Sequence, residues 1–200
     1  IGTTSCDGNL HIESSTSDEP IVIIENTNSD ATGGTLKFEK STTDEANDDV
    51  IGTINFTGRN SANNANQIAN IITKVVDTTN GSVDGSMLFQ VIGNGSFTNN
   101  LYLESGKVGI GTTSPSDLLH VYKSGALSVE FESNTGNADL TINSGTDGAV
   151  EKSSLIFQAN STSKWEILKT NDGDFMVYDY GRSASVIDIG LNGNMSLMAN

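Results

Sequence analysis

Ile110-Gly-Thr-Thr-Ser-Pro-Ser-Asp-Leu-Leu-His-Val121 repeats, without a gap, the opening Ile1-Gly-Thr-Thr-Ser-Cys-Asp-Gly-Asn-Leu-His-Ile12. Seven of the twelve positions are identical at an offset of 109, and an eighth exchanges Ile12 for Val121. Self-similarity at a fixed offset marks a repeat architecture. A second, looser match sets Leu101–Ile110 against Ile187–Leu197 and puts Gly106 on Gly193, an offset of 87. The difference between the two offsets gives the first unit about 22 extra residues, expected around 59–80. A period of this length is too long for a solenoid rung and suits a small β-sandwich. The expected organisation is therefore a first unit at 1–109, starting inside a linker, and a second at 110–200.

Composition agrees with a β chain. Ser, Thr, Asn and Gly make up 88 of the 200 residues, and Val, Ile and Thr make up 50. Small polar residues favour turns, and β-branched residues suit a pleated sheet. Leu, Ile, Val and Phe number 49, enough to escape the composition of a disordered chain. Period-2 alternation predicts strands in the first unit at Asn9–Glu13, Pro20–Asn26, Thr35–Lys40, Val50–Thr57, Ser86–Ile92 and Ser96–Glu104. In the second unit it predicts Leu118–Lys123, Ser128–Glu132, Asp139–Asn143, Ser154–Gln158, Trp165–Lys169, Phe175–Tyr178 and Ser185–Ile189. Asn80-Gly81, Asn94-Gly95 and Asn192-Gly193 read as type I′ hairpin turns, and Asn171-Asp-Gly173 as a further turn. In Ala65–Asp77, Ile68, Ile71, Ile72, Val75 and Val76 follow a helical stripe, yet the segment is β-branched and flanked by turns; strand is favoured over helix.

Charge and residue usage exclude several functions. The formal net charge of −15 leaves no basic footprint for nucleic acid. The longest apolar run, Ile21–Ile24, is too short to span a bilayer, so no membrane insertion is expected. Neither a signal peptide nor an initiator Met is visible. Cys6 is the single cysteine and cannot form an internal disulfide. With two histidines beside it, few ligands remain for zinc. The nucleophile elbow, the phosphate loop and the zinc-protease motif are all missing.

Gly106-Lys-Val-Gly-Ile-Gly-Thr-Thr-Ser-Pro-Ser-Asp-Leu-Leu-His-Val121 resembles the linker of bacteriophage tail-fibre proteins and related viral fibres. Val50–Arg59 and Asp77–Phe89 resemble the same fibres, and the likeness covers about the first 125 residues best. It implies tandem small antiparallel β-sandwich or prism units joined by short Gly/Thr/Ser linkers, assembled as an elongated homotrimer. It also implies a structural, non-enzymatic role in the virion, where the fibre reaches outward and contributes to host-surface attachment. The partners implied are other virion proteins and a host glycan or protein receptor. Many such fibres end in a self-cleaving chaperone domain; none is visible here, which fits an internal or processed piece. Cys6 stands where Pro115 does in the second linker, and Met195-Ser-Leu stands where Val-Gly-Ile is expected. In a three-fold assembly, Val108-Gly-Ile110 is expected to place Val108 and Ile110 near the axis, with the linker glycines letting chains approach closely.

Candidate chemistry is sparse. His11 and His120 occupy equivalent repeat positions, so a shared structural role is favoured over catalysis; a ring of histidines holding a metal on the three-fold axis is the sharper alternative. Asp44, Glu45, Asp48 and Asp49 form one acidic loop and Asp172 with Asp174 another, neither with calcium-loop spacing. Tyr178, Tyr180 and Arg182 could stack on a sugar, although a half-buried strand end is the plainer reading. Five Asn-x-Ser/Thr sites follow from composition. No catalytic residue, cofactor or metal is assigned. The rival functions are a monomeric carbohydrate-binding module at a cell surface and a fibre-borne polysaccharide depolymerase.

Overall fold

The computed structural model describes residues 1, 4, 8–143, 152–170 and 173–197. The chain divides into two compact units, Ile1–Leu127 and Ser128–Asn200. The fold is all-β, with eleven strands in two open sheets and no helix among the described residues.

The first sheet is built from β1 (Val50–Arg59), β2 (Ala65–Asp77), β3 (Asp84–Gly93), β4 (Ser96–Glu104), β5 (Lys107–Ile110) and β6 (Leu119–Val121), side by side in that order. Strands β1–β5 form an antiparallel meander, and β6 joins β5 in parallel. The second sheet has β7 (Ser153–Ala159), β8 (Thr162–Lys169), β9 (Phe175–Asp179), β10 (Ala184–Ile189) and β11 (Met195–Leu197), again an antiparallel meander in chain order.

The 65–77 segment is strand, paired on both sides. Its isoleucines and valines favour the sheet because branched side chains lose χ1 freedom in a helix. Asn94 (φ 49°) and Gly95 (φ 81°) both occupy the left-handed region, as a type I′ turn requires. Asn80-Gly81 and Asn192-Gly193 do not: only their glycines have positive φ. Two further type I′ geometries occur at Ser105-Gly106 and at Asn160-Ser161, the latter without any glycine.

Four predicted strands are not strands here: Pro20–Asn26, Thr35–Lys40, Ser128–Glu132 and Asp139–Asn143. Asn9–Glu13 also forms none. These stretches alternate correctly, but a strand also needs a ladder partner, and none of these joins either sheet. Their apolar side chains stay in the open, as at Val22 (67% exposed) and Phe131 (62% exposed). Within each unit there is one sheet among the described residues, so neither unit forms a two-layer sandwich by itself.

The boundary read from the repeat, 109/110, falls inside β5, whereas the units divide at Leu127/Ser128. The cause is the β5–β6 pairing, which ties the repeated linker to the first sheet. The extra length of the first unit is likewise spread out. Strands β1–β4 are each longer than β7–β10, with 13 residues in β2 against 8 in β8.

Side chains opposite one another on adjacent strands share a face. Ile54, Ile71, Phe89 and Leu101 form one such row across β1–β4. Leu155, Ile167, Val177, Ile187 and Leu197 form another across all five strands of the second sheet. Successive residues point to opposite faces. The rows Asn55–Asn70–Gln90–Asn99 and Ile156–Glu166–Tyr178–Ser185 lie on the other sides, Asn99 and Ser185 joining them through register shifts in the β3–β4 and β9–β10 pairs. Among the described residues Leu168 is the sole buried large hydrophobic, while Asn70 and Glu166 are buried polar groups.

Candidate functional site

Two places concentrate the chemistry, the repeated linker and the polar face of the second sheet. In the linker, residues 111–118 join β5 to its parallel neighbour β6, a shorter connection than parallel strands ordinarily need. Glycines make it feasible. Gly111 has φ +76°, and a Cβ there would lie 2.2 Å from the Tyr122 carbonyl oxygen. A Cβ on Gly109 would lie 2.4 Å from the Thr112 carbonyl oxygen. The room left by these glycines is thus taken by the same chain's own loop.

Side chains then fasten the loop. Lys107 Nζ donates to the Pro115 carbonyl at 3.2 Å, and the Ser114 amide donates to Thr112 Oγ1 at 3.1 Å. The Ser116 amide donates to His120 Nδ1 at 3.3 Å. His120 also meets Tyr122 edge-on, with ring centroids 6.1 Å apart. His120 is therefore engaged in closing the linker. Of the first linker, Gly2, Thr3, Ser5 and Cys6 lie outside the described residues. Its framework is nonetheless visible: Ile1 donates through its amino group to the His11 carbonyl at 2.6 Å, and the Glu13 amide donates to the Ile1 carbonyl at 2.9 Å.

On the second sheet, β8 carries Glu166 with only 2% of its surface exposed. Lys152 Nζ approaches both carboxylate oxygens, at 2.7 Å from Oε1 and 2.9 Å from Oε2. Tyr180 Oη donates to Oε2 at 2.8 Å. Burial pushes Glu166 upward, but hydrogen bonds from Lys152, Ser154 and Tyr180 outweigh it and hold the carboxyl below its usual range. The same contacts raise Lys152 and Tyr180, chiefly through their hydrogen bonds to Glu166. Tyr178 packs edge-on against Tyr180, with centroids 5.0 Å apart and planes at 78°. A cavity of about 240 Å³ opens here, lined by Lys152, Glu166, Leu168, Met176, Tyr178 and Tyr180. The chain matches no protein-family model and no curated protein.

The structure thus brings together Tyr178 and Tyr180 of the sugar-stacking trio, while Arg182 turns to Asp179, its Nε 3.4 Å from Oδ2. Sequence reading missed Glu166 and Lys152. Glu166 sits in an ordinary alternating strand, and its partners Tyr180 and Lys152 each stand 14 positions away. The only available signal was the carboxylate between two apolar neighbours, Trp165 and Ile167.

The acidic clusters have local work. Asp49 pairs with Lys40 and accepts from the Ala46 amide, contacts that hold it below the usual carboxylate range. The Asp48 amide donates to the Val75 carbonyl at 2.8 Å, pinning the loop to β2. Asp174 Oδ1 accepts from the Leu191 amide at 3.0 Å, anchoring the β10–β11 turn; Asn171 and Asp172 lie outside the described residues. Among the described residues no group of three His, Cys, Asp or Glu side chains is placed to hold a metal ion.

Proposed function

We propose that this chain is a structural segment of a trimeric viral fibre, built from tandem β units and contributing to attachment at a host surface. The observation carrying this reading is an unfinished core. Among the described residues Leu168 is the only large hydrophobic side chain that is buried. Much of the apolar surface left open is ordered in rows. Ile54 is 39% exposed, Leu155 44% and Leu197 62%, although each is aligned across a regular sheet. The next row along the first sheet, Thr73–Met87–Leu103–Val108–Leu119, continues the same face. It borders a shallow groove of about 610 Å³. Obligate assemblies bury more than about 2,000 Å² of such surface, and identical copies supply identical apolar faces.

The linker resemblance supplies the viral context, and the matching five-strand meanders support the tandem reading. A net charge of −15 suits a solvated shaft that resists self-association beyond its own assembly. The rival carbohydrate-binding monomer fits the exposed rows poorly, because large apolar patches on monomers are uncommon. A depolymerase needs a carboxylic acid as proton donor, a role that Glu166 does not suit while it accepts from Lys152 and Tyr180. Sedimentation equilibrium and velocity together test the reading: the expected particle has three times the 21.0 kDa chain mass and the high frictional ratio of an elongated shape. A compact particle of one chain mass overturns it.

A further inference from the structure

We infer that the cavity between Lys152, Glu166, Met176, Tyr178 and Tyr180 is a subsite for one neutral sugar ring. The cavity of about 240 Å³ lies within the second unit of a single chain. Its charges cancel, since the Glu166 carboxylate faces the Lys152 ammonium through both oxygens. A lone paired carboxylate cannot replace the several oxygens a divalent cation demands. An anion would compete with Glu166 for Lys152 and would face a buried negative charge. The site therefore selects an uncharged ligand.

The groups left over define its polarity. An ammonium has three N–H donors; one goes to Glu166 Oε2, and the others are left for a ligand. Tyr180 donates its hydroxyl proton to Glu166, which leaves the phenol oxygen as an acceptor. One donor and one acceptor side by side match a sugar hydroxyl, which both accepts and donates. Two tyrosine rings and the Met176 thioether supply the apolar wall that the C–H face of a pyranose covers. Glu166 acts here chiefly as a positioning residue: it is 2% exposed and fixes Lys152 and Tyr180.

Methyl glycosides of glucose, galactose, mannose and N-acetylglucosamine test the site, using methionine-methyl NMR on the full chain. At least one glycoside is expected to shift the Met176 methyl signal saturably, with a dissociation constant of about 1–10 mM, while Met87 in the first unit stays unmoved. Tyr178→Ala is expected to weaken that binding at least tenfold. If that variant fails to fold, the wild-type contrast between Met176 and Met87 still decides the question. No shift with any of the four sugars, equal shifts at both methionines, or undiminished binding in folded Tyr178→Ala overturns the site. None of these outcomes depends on the number of chains in the particle, so the fibre reading stands or falls separately.

Discussion

The Tyr122 amide donates to the Ile110 carbonyl at 2.9 Å, closing the linker loop onto β5. The bond from Glu13 to Ile1, also 2.9 Å, stands 109 positions earlier, the offset at which the sequence repeats. Gly111 makes the later closure possible, with its φ of +76° and no room for a Cβ beside the Tyr122 oxygen. Gly111→Ala is therefore expected to cost about 2 kcal/mol or more, combining strained backbone with a steric clash. Hydrogen exchange at the Tyr122 amide should accelerate in that variant. Gly33→Ala, where nothing lies within 4 Å of the added methyl, should leave exchange and unfolding unchanged.

Glu166 predicts how the second unit responds to acid. Its folded-state carboxyl lies below the ordinary glutamate value of 4.5, so the folded state binds fewer protons than the unfolded one. The stability it contributes is fully present above about pH 4.5 and is lost as pH falls through the lower folded value. Glu166→Gln removes that titration while keeping the side chain's shape. Urea unfolding at pH 6 should show the variant less stable, because Lys152 loses its charged partner. By pH 3 the gap should narrow. A gap of equal size at both pH values would mean that Glu166 is not titrating with folding.

Much of this fold was legible in the sequence, because alternation and turn chemistry are local. Ser96–Glu104 matches β4 at both ends, and Asn94-Gly95 makes the expected turn. What failed was non-local. Val108 and Ile110 looked like linker, yet they form β5, paired with β4 across the Ser105-Gly106 turn and with β6 after an eight-residue loop. Conversely, Ile21–Ile24 has strong β propensity and no ladder partner. The Glu166 site was hidden for a similar reason, since Lys152 and Tyr180 reach it from flanking segments on either side in the sequence.

Asn70 offers a test of polar burial in the first sheet. It is 6% exposed, sits between Asn55 and Gln90 in the amide row, and its Oδ1 accepts no hydrogen bond. An unsatisfied buried acceptor costs about 1–3 kcal/mol. Asn70→Leu, of similar volume, should therefore unfold at equal or higher temperature than the wild type. A loss of several degrees would show that the amide makes a compensating bond in the assembled state.

The apolar rows give the sharpest contrast between the two faces of each sheet. Phe89→Asp and Ile167→Asp place a carboxylate in the centre of each apolar row, whereas Asn55→Asp adds the same charge to the opposite face of the first sheet. Each apolar side chain contributes about 1.5–3 kcal/mol when it is fully buried, and a trimer loses that contribution three times over. A buried carboxylate without a cation adds a further penalty. Phe89→Asp and Ile167→Asp should therefore shift the sedimenting species towards the 21.0 kDa chain mass, with Asn55→Asp unaffected. If Asn55→Asp dissociates the particle while the other two do not, copies meet through the amide face, and the apolar rows are covered by something other than this chain.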